Sequence, residues 1–400
     1  MTALAFESFG IGFLALALVA SCGGGTVGSQ ADGGSTLPDG GGGNADGGPD
    51  APDASSGTPD ATPADVTTMV YIGGGDSKIH AYVLDRDTLA LTPAGAFNAG
   101  DGPSFLAFDA RARWLVAVNE GASAVQSFTI DASSGALTLR DSASSEGSGP
   151  AHIGLDRSGK YVLVANYDGG TAAVLPISDA GDFGAPTAMV APGMNAHEIV
   201  ADAANANLYV PCLGSDHISH YSFDAAHGTV VEKAAASSPS GAGPRHIAIT
   251  PSGKFAYVMN ELNSTVSMFS VGNDGSLTSL GAAIKSLPAD FNGNNTGAEI
   301  AVHPNGKFLY SSNRGHNSIA LYSIAADGKI ALLGTTPTGG ADPRHFSLAL
   351  GGSALFAANQ NGNTVFAFHV NATTGALTSV GKVADVQGPE FVGALDLPAP

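Results

Sequence analysis

Residues 243–269 read GPRHIAITPSGKFAYVMNELNSTVSMF, and this stretch shows the unit from which the rest of the chain is built. It holds three short apolar runs, at 246–249, 255–260 and 266–269. Their Val, Ile, Phe and Tyr content is typical of β-strands, and helical periodicity is absent. The turn sequence Pro251-Ser252-Gly253 separates the first two runs, and Asn263-Ser264 lies between the last two. The stretch therefore predicts an antiparallel meander.

The same unit recurs along the chain. A strand-like run that ends in a small or polar residue occurs seven times, and a second apolar run starts six residues after each end. The spacings between successive ends are 46, 47, 46, 48, 53 and 46 residues. With the runs before and after them, these units predict an all-β, seven-bladed β-propeller of four-stranded antiparallel blades over residues 65–400. The run ends are Gly73, Asn119, Asn166, Cys212, Asn260, Asn313 and Asn359.

Closure of the ring is predicted from the two ends of this region. The first unit lacks its own innermost run before Val70, whereas residues 390–395 form an extra run near the C-terminus. We expect that C-terminal strand to complete the first blade, which leaves no open sheet edge. An open solenoid or two stacked sandwiches would not produce seven equal units with one complementary strand left over.

The composition excludes several classes of protein. The chain has 400 residues, including 55 glycines and 22 prolines, and only 13% of its residues are charged. Sixteen basic against 35 acidic residues give a net charge of 16 − 35 = −19. This balance argues against a nucleic-acid-binding surface and against electrostatic anchoring on anionic lipid. Two cysteines, Cys22 and Cys212, are too few for a disulfide framework or a multi-cysteine metal site.

The N-terminal region predicts export and a tether. Residues 11–20 form an apolar run that is too short to span a bilayer but suits a signal peptide, although residues 1–10 carry no Lys or Arg. Val19-Ala20-Ser21-Cys22 resembles a bacterial lipobox, in which the cysteine is lipidated. We expect a lipoprotein signal peptide at 1–21, a Gly/Asp/Pro-rich disordered tether at 22–64, and a domain lipid-anchored to the bacterial cell envelope. The alternative is a hydrophobic N-terminal strand.

A cluster of polar residues is expected at one mouth of the propeller. In an antiparallel meander, the start of one strand and the end of the next lie at the same edge. Arg245 opens a predicted inner strand and Glu261 follows the returning strand, so both should lie at that mouth. The same reasoning applies to residues of other units: His152, His197, Arg314, Arg344 and His345.

Several of these motifs resemble those of a known family. Gly243-Pro244-Arg245-His246, the strand and turn that follow it, and Ser312-Asn313-Arg314-Gly315-His316 are similar to the lactonase family of seven-bladed propellers. That family includes the propeller-type 6-phosphogluconolactonases and is related to muconate-lactonizing enzymes. The resemblance spans about 67–397 and implies hydrolysis of a sugar lactone without a cofactor or metal.

The resemblance also implies roles for individual residues. It matches His197, Arg245 and Glu261 to a catalytic constellation, in which His197 or Glu261 activates water and a guanidinium binds the carbonyl oxygen as it becomes anionic. The groups that we expect to bind the substrate, with bidentate arginines for a carboxylate or phosphate, are His152, Arg314, Arg344, His345 and Asn260.

Structural interpretations of the same residues remain open. Arg245 and Glu261 could form a structural ion pair, the histidines could join adjacent blades, and Asn260 could cap a turn. His217 and His220 only faintly resemble a metal pair. The insertion at 287–296 is either a lid over the mouth or an ordinary long loop.

Three functions are compatible with these sequence features. The first is a lactone hydrolase, the second a muconate-type cycloisomerase that uses the same site, and the third a surface-tethered binding module without enzymatic activity. We expect a small-molecule lactone or sugar acid as the ligand, no nucleic-acid partner, contact with a membrane through a lipid anchor only, and a monomer.

Overall fold

The computed structural model describes residues 66–398, and these form seven antiparallel sheets. The expected signal peptide, Cys22 and the whole of the expected tether lie outside the described residues. Within 66–398, no helix is long and apolar enough to cross a membrane. Three single-turn 3₁₀ helices, at Glu120–Ala122, Leu213–Ser215 and Leu350–Gly352, join strands in this region.

The first blade combines the two ends of the described chain. Its order from the centre outward is β29-β1-β2-β3. Strand β29 pairs antiparallel with β1 from Thr68↔Asp396 to Gly74↔Pro389. The predicted closure by the C-terminal strand is thus confirmed. The strands are β1 (Thr68–Gly74), β2 (Lys78–Leu84), β3 (Leu91–Asn98) and β29 (Pro389–Asp396).

The other six blades follow in chain order, each as a meander that runs outward from the channel. Blade 2 contains β4 (Leu106–Phe108), β5 (Trp114–Asn119), β6 (Ala124–Ile130) and β7 (Leu137–Ser144). Blade 3 contains β8 (Pro150–Leu155), β9 (Tyr161–Asn166), β10 (Thr171–Pro176) and β11 (Ala188–Val190). Blade 4 contains β12 (Val200–Ala201), β13 (Asn207–Cys212), β14 (His217–Asp224) and β15 (Thr229–Ser237).

Blades 5 to 7 complete the ring. Blade 5 contains β16 (Pro244–Ile249), β17 (Phe255–Asn260), β18 (Thr265–Val271) and β19 (Leu277–Ser279), and the short β20 (Ile284–Lys285) also pairs with β18. Blade 6 contains β21 (Thr296–Val302), β22 (Phe308–Arg314), β23 (Ser318–Ile324) and β24 (Ile330–Pro337). Blade 7 contains β25 (Pro343–Ala349), β26 (Ala354–Asn359), β27 (Thr364–Val370) and β28 (Leu377–Asp385). The predicted all-β, seven-bladed propeller with four-stranded blades is confirmed.

The core is divided among the interfaces between blades. Seven clusters of buried apolar side chains occur, and each joins one pair of neighbouring blades. The cluster between blades 1 and 7, for example, contains Val70, Ile72, Phe356 and Val365. Burial of such side chains is the main favourable contribution to folding, so each blade is stabilised by both neighbours.

Buried tyrosines add a polar link between blades. Tyr257 on β17 donates its hydroxyl proton to the carbonyl oxygen of Gly328, which lies in the β23–β24 turn of the next blade, at 2.9 Å. Gly328 has a φ of +81°, a conformation that favours glycine. Three more tyrosine hydroxyls make the equivalent contact at 2.7–2.8 Å: Tyr71 to Gly135, Tyr209 to Gly275 and Tyr310 to Gly375.

We expect Tyr257→Phe to lower the free energy of unfolding by about 1–3 kcal/mol, because it leaves the buried Gly328 carbonyl without its donor. Urea unfolding monitored by circular dichroism measures the change. Tyr82→Phe is the matched control, since Tyr82 is buried but its hydroxyl makes no hydrogen bond to the described residues. Equal stability of Tyr257→Phe and the wild type would contradict a role for this contact in joining blades.

Candidate active site at the mouth of the channel

An irregularity at the start of the inner strands brings polar side chains into the channel. In blade 5, Pro244 pairs with Asn260 but His246 pairs with Met259, so Arg245 is one extra residue on β16. This is a β-bulge, which commonly redirects a side chain next to an active site. The same register shift makes Ala151 the extra residue in blade 3, Arg344 in blade 7 and Glu390 in blade 1.

Glu261 is held between two arginines. Its Oε2 lies 3.2 Å from Nε of Arg245, and its Oε1 lies 3.0 Å from Nη2 of Arg314. Arg245 also donates from Nη1 to the carbonyl of Ala298 at 2.8 Å, and Arg314 donates from Nη2 to the carbonyl of Gly297 at 3.1 Å. The carboxylate is therefore fixed by two neighbouring blades.

Arg245 is buried beneath this ion pair. Burial lowers its pKa to about 9, with further lowering by the charges of Arg314 and Arg344. The guanidinium remains protonated at neutral pH, and Glu261 supplies part of the opposing charge that makes its burial tolerable.

A cavity of about 240 Å³ lies above these groups. Larger cavities exist; one of about 460 Å³ lies between the turns at 107–111 and 155–159 and is lined by no histidine. The cavity at the mouth instead combines an imidazole, carboxylates, a phenol and guanidinium groups from several blades. Its lining residues are Glu120, Ala151, Tyr167, His197, Glu261, Arg314 and Arg344.

The far wall of the cavity has its own polar network. Nε of Arg344 lies 3.2 Å from Glu390 Oε2, and Gln360 donates from Nε2 to Glu390 Oε1 at 3.0 Å. The hydroxyl of Ser104 donates to Glu120 Oε2 at 2.7 Å. Burial raises the pKa of Glu390, Arg344 lowers it, and the nearby Glu120 carboxylate raises it again.

His197 is the imidazole that lines the cavity. Its side chain is buried, with its ring centroid 5.4 Å from that of Tyr167 and 5.1 Å from that of His246. Burial lowers its pKa well below the usual value, and the charge of Arg245 lowers it further. The ring is therefore neutral at neutral pH and can accept a proton.

Beneath the cavity lies a layer of side chains, one from the inner segment of each blade, which we call the channel layer; all of them are buried except Phe105, which is half-buried. It consists of Phe105, His152, Glu198, His246, Glu299, His345 and Phe391. Phe105 is central to it, with its ring 4.3 Å from His152, 5.3 Å from His345 and 5.0 Å from Phe391. The layer closes the channel below His197.

Glu299 is the main acceptor in the channel layer. Its Oε2 lies 3.0 Å from Nδ1 of His246 and 3.3 Å from Nε2 of His345. On the other side, Glu198 Oε2 accepts the Ile247 N–H at 2.5 Å, and its Oε1 lies 3.7 Å from His152 Nε2.

Burial shifts the pKa values of this layer in opposite directions. It lowers the pKa of His152 and His246 well below the usual value and that of His345 to about 4. It raises the pKa of Glu198 and Glu299, because the charged form of a carboxyl loses solvation there.

Five of the residues expected at the mouth are found together there: His197, Arg245, Glu261, Arg314 and Arg344. Two others, His152 and His345, lie below them in the channel layer. Asn260 lies outside the cavity lining, fully buried, and donates to the hydroxyls of Thr265 and Ser267 at 2.9 and 2.8 Å.

The surroundings of Cys212 and His217 indicate structural roles for both residues. Cys212 is buried, and burial raises the pKa of its thiol to about 12. Nε2 of His217 contacts the Pro192 carbonyl at 2.8 Å. Within residues 66–398, no group of three or more His, Cys, Asp or Glu side chains has the geometry to hold a metal ion.

Sequence reasoning missed several residues of the site. Glu120 and Tyr167 each directly follow a run end, as Glu261 and Arg314 do, so the repeat itself holds the signal that identifies them. Glu390 occupies the place in Pro389-Glu390-Phe391 that Arg245 occupies in its own unit. Glu198 directly follows His197, and Glu299 directly follows Ala298. In their own units, His197 and Ala298 occupy the place of Arg245.

The insertion at 287–296 lies beside the mouth. Phe291 packs edge-on against His316 with centroids 4.7 Å apart, and Asn295 Oδ1 accepts the N–H of His316 at 2.9 Å. A further cavity of about 330 Å³ lies between Asn294, Arg314 and Gln360. The segment thus borders Arg314. The two alternatives for it, a lid over the mouth or an ordinary long loop, stay predictions.

Comparison with known proteins gives one consistent result. A family model described as "Lactonase, 7-bladed beta-propeller" matches residues 66–394. The chain is 31% identical over 326 residues to a 6-phosphogluconolactonase of Yersinia pestis (strain Pestoides F), which covers 81% of this chain and 96% of that protein. A protein of the same name from Serratia proteamaculans (strain 568) is 34% identical over 249 residues, covering 62% of this chain and 75% of that one. The solved structure of the periplasmic gluconolactonase PpgL from Pseudomonas aeruginosa has the same fold, with a TM-score of 0.76 at 24% identity over 83% of this chain and 100% of the other.

We expect the channel layer to make stability depend on pH. His345 has a pKa of about 4 when folded against 6.5 in the reference state, so the unfolded chain takes up the proton first. The contribution of neutral His345 to the free energy of unfolding is complete above pH 6.5. It is lost as the pH falls towards 4, by up to about 1.4 kcal/mol per pH unit. Glu198 and Glu299, with raised pKa values, oppose this loss.

His345→Gln should therefore flatten the decline in free energy of unfolding between pH 6.5 and 4, as measured by urea titrations at several pH values. His227→Gln is the control, because the side chain of His227 is exposed. An unchanged slope in His345→Gln would show that the buried imidazole does not titrate in this window.

Proposed function

This chain belongs to the lactonase family of seven-bladed β-propellers, and on that premise we propose that it hydrolyses a sugar lactone in the cavity at the mouth of the channel. Its relatives named 6-phosphogluconolactonase support a lactone of a sugar acid as the substrate class. Neither a cycloisomerase nor a binding module is favoured by a separate observation.

One observation carries the proposal. A neutral imidazole, His197, borders the same cavity as a carboxylate, Glu261, which Arg245 and Arg314 hold at 3.2 and 3.0 Å. A lactone ester needs a group that takes a proton from water and a donor that binds the carbonyl oxygen as it becomes anionic. Both kinds of group meet here.

The roles follow from position. Arg314 and Arg344 line the cavity, so their remaining N–H groups can bind the lactone carbonyl oxygen or a carboxylate of the product. Arg245 is buried behind the lining and acts through Glu261, whose orientation it fixes. Water adds to the carbonyl carbon, the ring C–O bond breaks, and the ring oxygen receives a proton to give the hydroxy acid. We propose that side chains perform these steps without a metal.

The base is one of two groups. Both oxygens of Glu261 already lie in ion pairs, with Nε of Arg245 at 3.2 Å and Nη2 of Arg314 at 3.0 Å, so the carboxylate is engaged as their counter-ion. His197 is neutral at neutral pH and lines the same cavity, so its ring can take a proton from water there, although burial and the charge of Arg245 lower its pKa and weaken it as a base. Glu261 then serves to hold Arg245 and Arg314 and to balance their charge.

We also propose that the protein is exported and lipid-anchored through Cys22 to the cell envelope. The apolar run at 11–20 followed by Val19-Ala20-Ser21-Cys22 supports this proposal. A tethered lactonase would act on lactones outside the cytoplasm.

We expect Glu261→Gln to reduce kcat/KM for a gluconolactone by about 100-fold or more, since it removes the charge that positions two guanidinium groups. Steady-state hydrolysis of 6-phosphogluconolactone and of unphosphorylated gluconolactone, corrected for spontaneous opening, measures the change. Asp182→Asn is the matched control, because Asp182 pairs with Arg140 at 2.8 Å on the exposed surface.

If the wild-type protein turns over neither lactone above background, the hydrolase proposal fails. If Glu261→Gln and Asp182→Asn have equal activity, the assignment of the site fails while lactone hydrolysis stands.

Metabolic labelling with palmitate in a bacterial host tests the anchor. Cys22→Ala should abolish labelling, because it removes the thiol to which lipid would be attached. Cys212→Ala should leave labelling unchanged, since Cys212 is buried in blade 4. Equal labelling of the wild type and Cys22→Ala would refute the anchor.

A further inference from the structure

The positive charges of the candidate site are already paired with carboxylates. Arg245 and Arg314 lie 3.2 and 3.0 Å from the two carboxylate oxygens of Glu261. Arg344 lies 3.2 Å from a carboxylate oxygen of Glu390. Two carboxylates therefore oppose three guanidinium groups, which leaves a surplus of one positive charge.

Glu120 removes this surplus. It begins the single-turn helix after β5, lines the cavity and is half-buried. The hydroxyl of Ser104 donates to its Oε2 at 2.7 Å, and Glu120 forms no ion pair within the described part of the chain. Burial raises the pKa of Glu390, Arg344 lowers it and the Glu120 carboxylate raises it again, so the two acidic groups are close enough to interact. Three carboxylates and three guanidinium groups thus leave the site without net charge.

A second cavity, of about 330 Å³, shares Arg314 with the first. The other residues of its lining carry amide, hydroxyl or carboxylate groups, apart from one glycine: Asn294, Asn295, Thr296, Gly315, Asp342, Gln360 and Asn361. Such side chains donate hydrogen bonds to the hydroxyl groups of a sugar and accept them. Lys285 lines a separate cavity beside residues 287–295 and is absent from the linings of the two cavities that share Arg314.

The loops around the mouth add exposed acidic groups. The carbonyl oxygen of Asp101 accepts the N–H of Gly121 at 3.0 Å, which places Asp101 beside the turn that holds Glu120. Asp168 directly follows Tyr167, which lines the cavity. Charges arranged around a cleft repel an approaching ion of the same sign and slow its binding, and salt screens this effect.

We propose that the site selects an uncharged, polyhydroxylated lactone over a phosphorylated one, and that Glu120 determines this choice. The inference rests on the proposed lactone hydrolysis and specifies the class of lactone. A phosphate monoester has a charge of about −1.5 to −2 at pH 7 and is usually bound by unpaired arginines and lysines. In this site it would meet the Glu120 carboxylate and guanidinium groups that already have partners. The hydroxyl groups of an uncharged lactone can instead donate to Glu120 and to the amides around Arg314.

The first test compares two substrates of the wild-type protein. We expect kcat/KM for gluconolactone to exceed that for 6-phosphogluconolactone by about tenfold or more at low ionic strength, because only the second substrate is repelled. Added sodium chloride should raise kcat/KM for the phosphorylated lactone and leave that for gluconolactone unchanged. Steady-state hydrolysis, corrected for spontaneous ring opening at each salt concentration, measures both effects.

The second test removes the charge of Glu120 alone. Glu120→Gln keeps the size of the side chain and an oxygen that can accept from Ser104. We expect kcat/KM for 6-phosphogluconolactone to rise about tenfold, mainly through a lower KM, since the surplus positive charge of the site is restored. The value for gluconolactone should stay within about threefold of the wild type. The preference for the uncharged substrate should therefore shrink in this variant.

Two control variants separate this effect from changes elsewhere. Glu232→Gln removes the same charge from an exposed position on the outer strand β15, and its preference should equal that of the wild type. Lys285→Gln should also leave the preference unchanged, because Lys285 lies outside both cavities that share Arg314. A selective loss of activity on the phosphorylated lactone in Lys285→Gln would reveal a phosphate site there and overturn the proposal.

The remaining outcomes distinguish the inference from the function on which it rests. Wild-type hydrolysis of 6-phosphogluconolactone at least as efficient as that of gluconolactone would overturn the selection of an uncharged substrate, and lactone hydrolysis would stand. An unchanged preference in Glu120→Gln would overturn the role of Glu120. Turnover of neither lactone would refute the proposed function and, with it, this choice of substrate.

Discussion

Closure of the ring is the constraint on which the rest of the structure depends. The pairing of β29 with β1 along seven residue pairs joins the last strand to the first, and Thr68 adds a side-chain hydrogen bond to Asp396 at 2.5 Å. Every blade packs on two neighbours through seven apolar interfaces, and the pairing of β29 with β1 completes the blade that joins the two ends of the ring. Closure also places Glu390 and Phe391, which belong to β29, in the same channel as residues more than a hundred positions away.

The geometry of the candidate site is a consequence of closure together with the bulges on the inner strands. In a regular strand, neighbouring side chains point to opposite faces, so Arg245 and His246 could not both face the channel. The extra residue in β16 changes this, and the equivalent bulges do so in three other blades. As a result each such strand supplies one group near the cavity and one group to the channel layer. Ala151 and Arg344 of the cavity therefore adjoin His152 and His345 of its floor. The other lining residues Glu120, Tyr167, Glu261 and Arg314 lie at or directly after the ends of second strands.

Much of this arrangement could be predicted from the repeat. The run ends at Asn119, Asn166, Asn260 and Asn359 are the observed strand ends, and the meeting of Arg245 with Glu261 follows from antiparallel geometry alone. The bulges were not predicted, although the four strands that carry them share one pattern, in which a proline precedes the extra residue and a histidine or phenylalanine follows it. For that reason His152 and His345 were expected at the mouth, whereas the structure places them one level deeper. Glu299 had no predicted role, since the groups it contacts, His246 and His345, belong to other blades.

The polar character of the channel layer argues against a purely structural role. Two carboxyl groups and three imidazoles are buried there, and each loses hydration energy that Phe105 and Phe391, in the same ring, do not lose. Apolar side chains of similar size would close the channel at a lower cost, because buried ion pairs rarely contribute more stability than well-packed apolar groups. The hydrogen bonds to Ile247, Ile300 and Val392 offset part of this cost without explaining it. Nδ1 of His197 and Nε2 of His246, which have no hydrogen-bond partner among the described residues, lie where the layer meets the cavity. The polar groups therefore fit a layer that serves the proposed site above it.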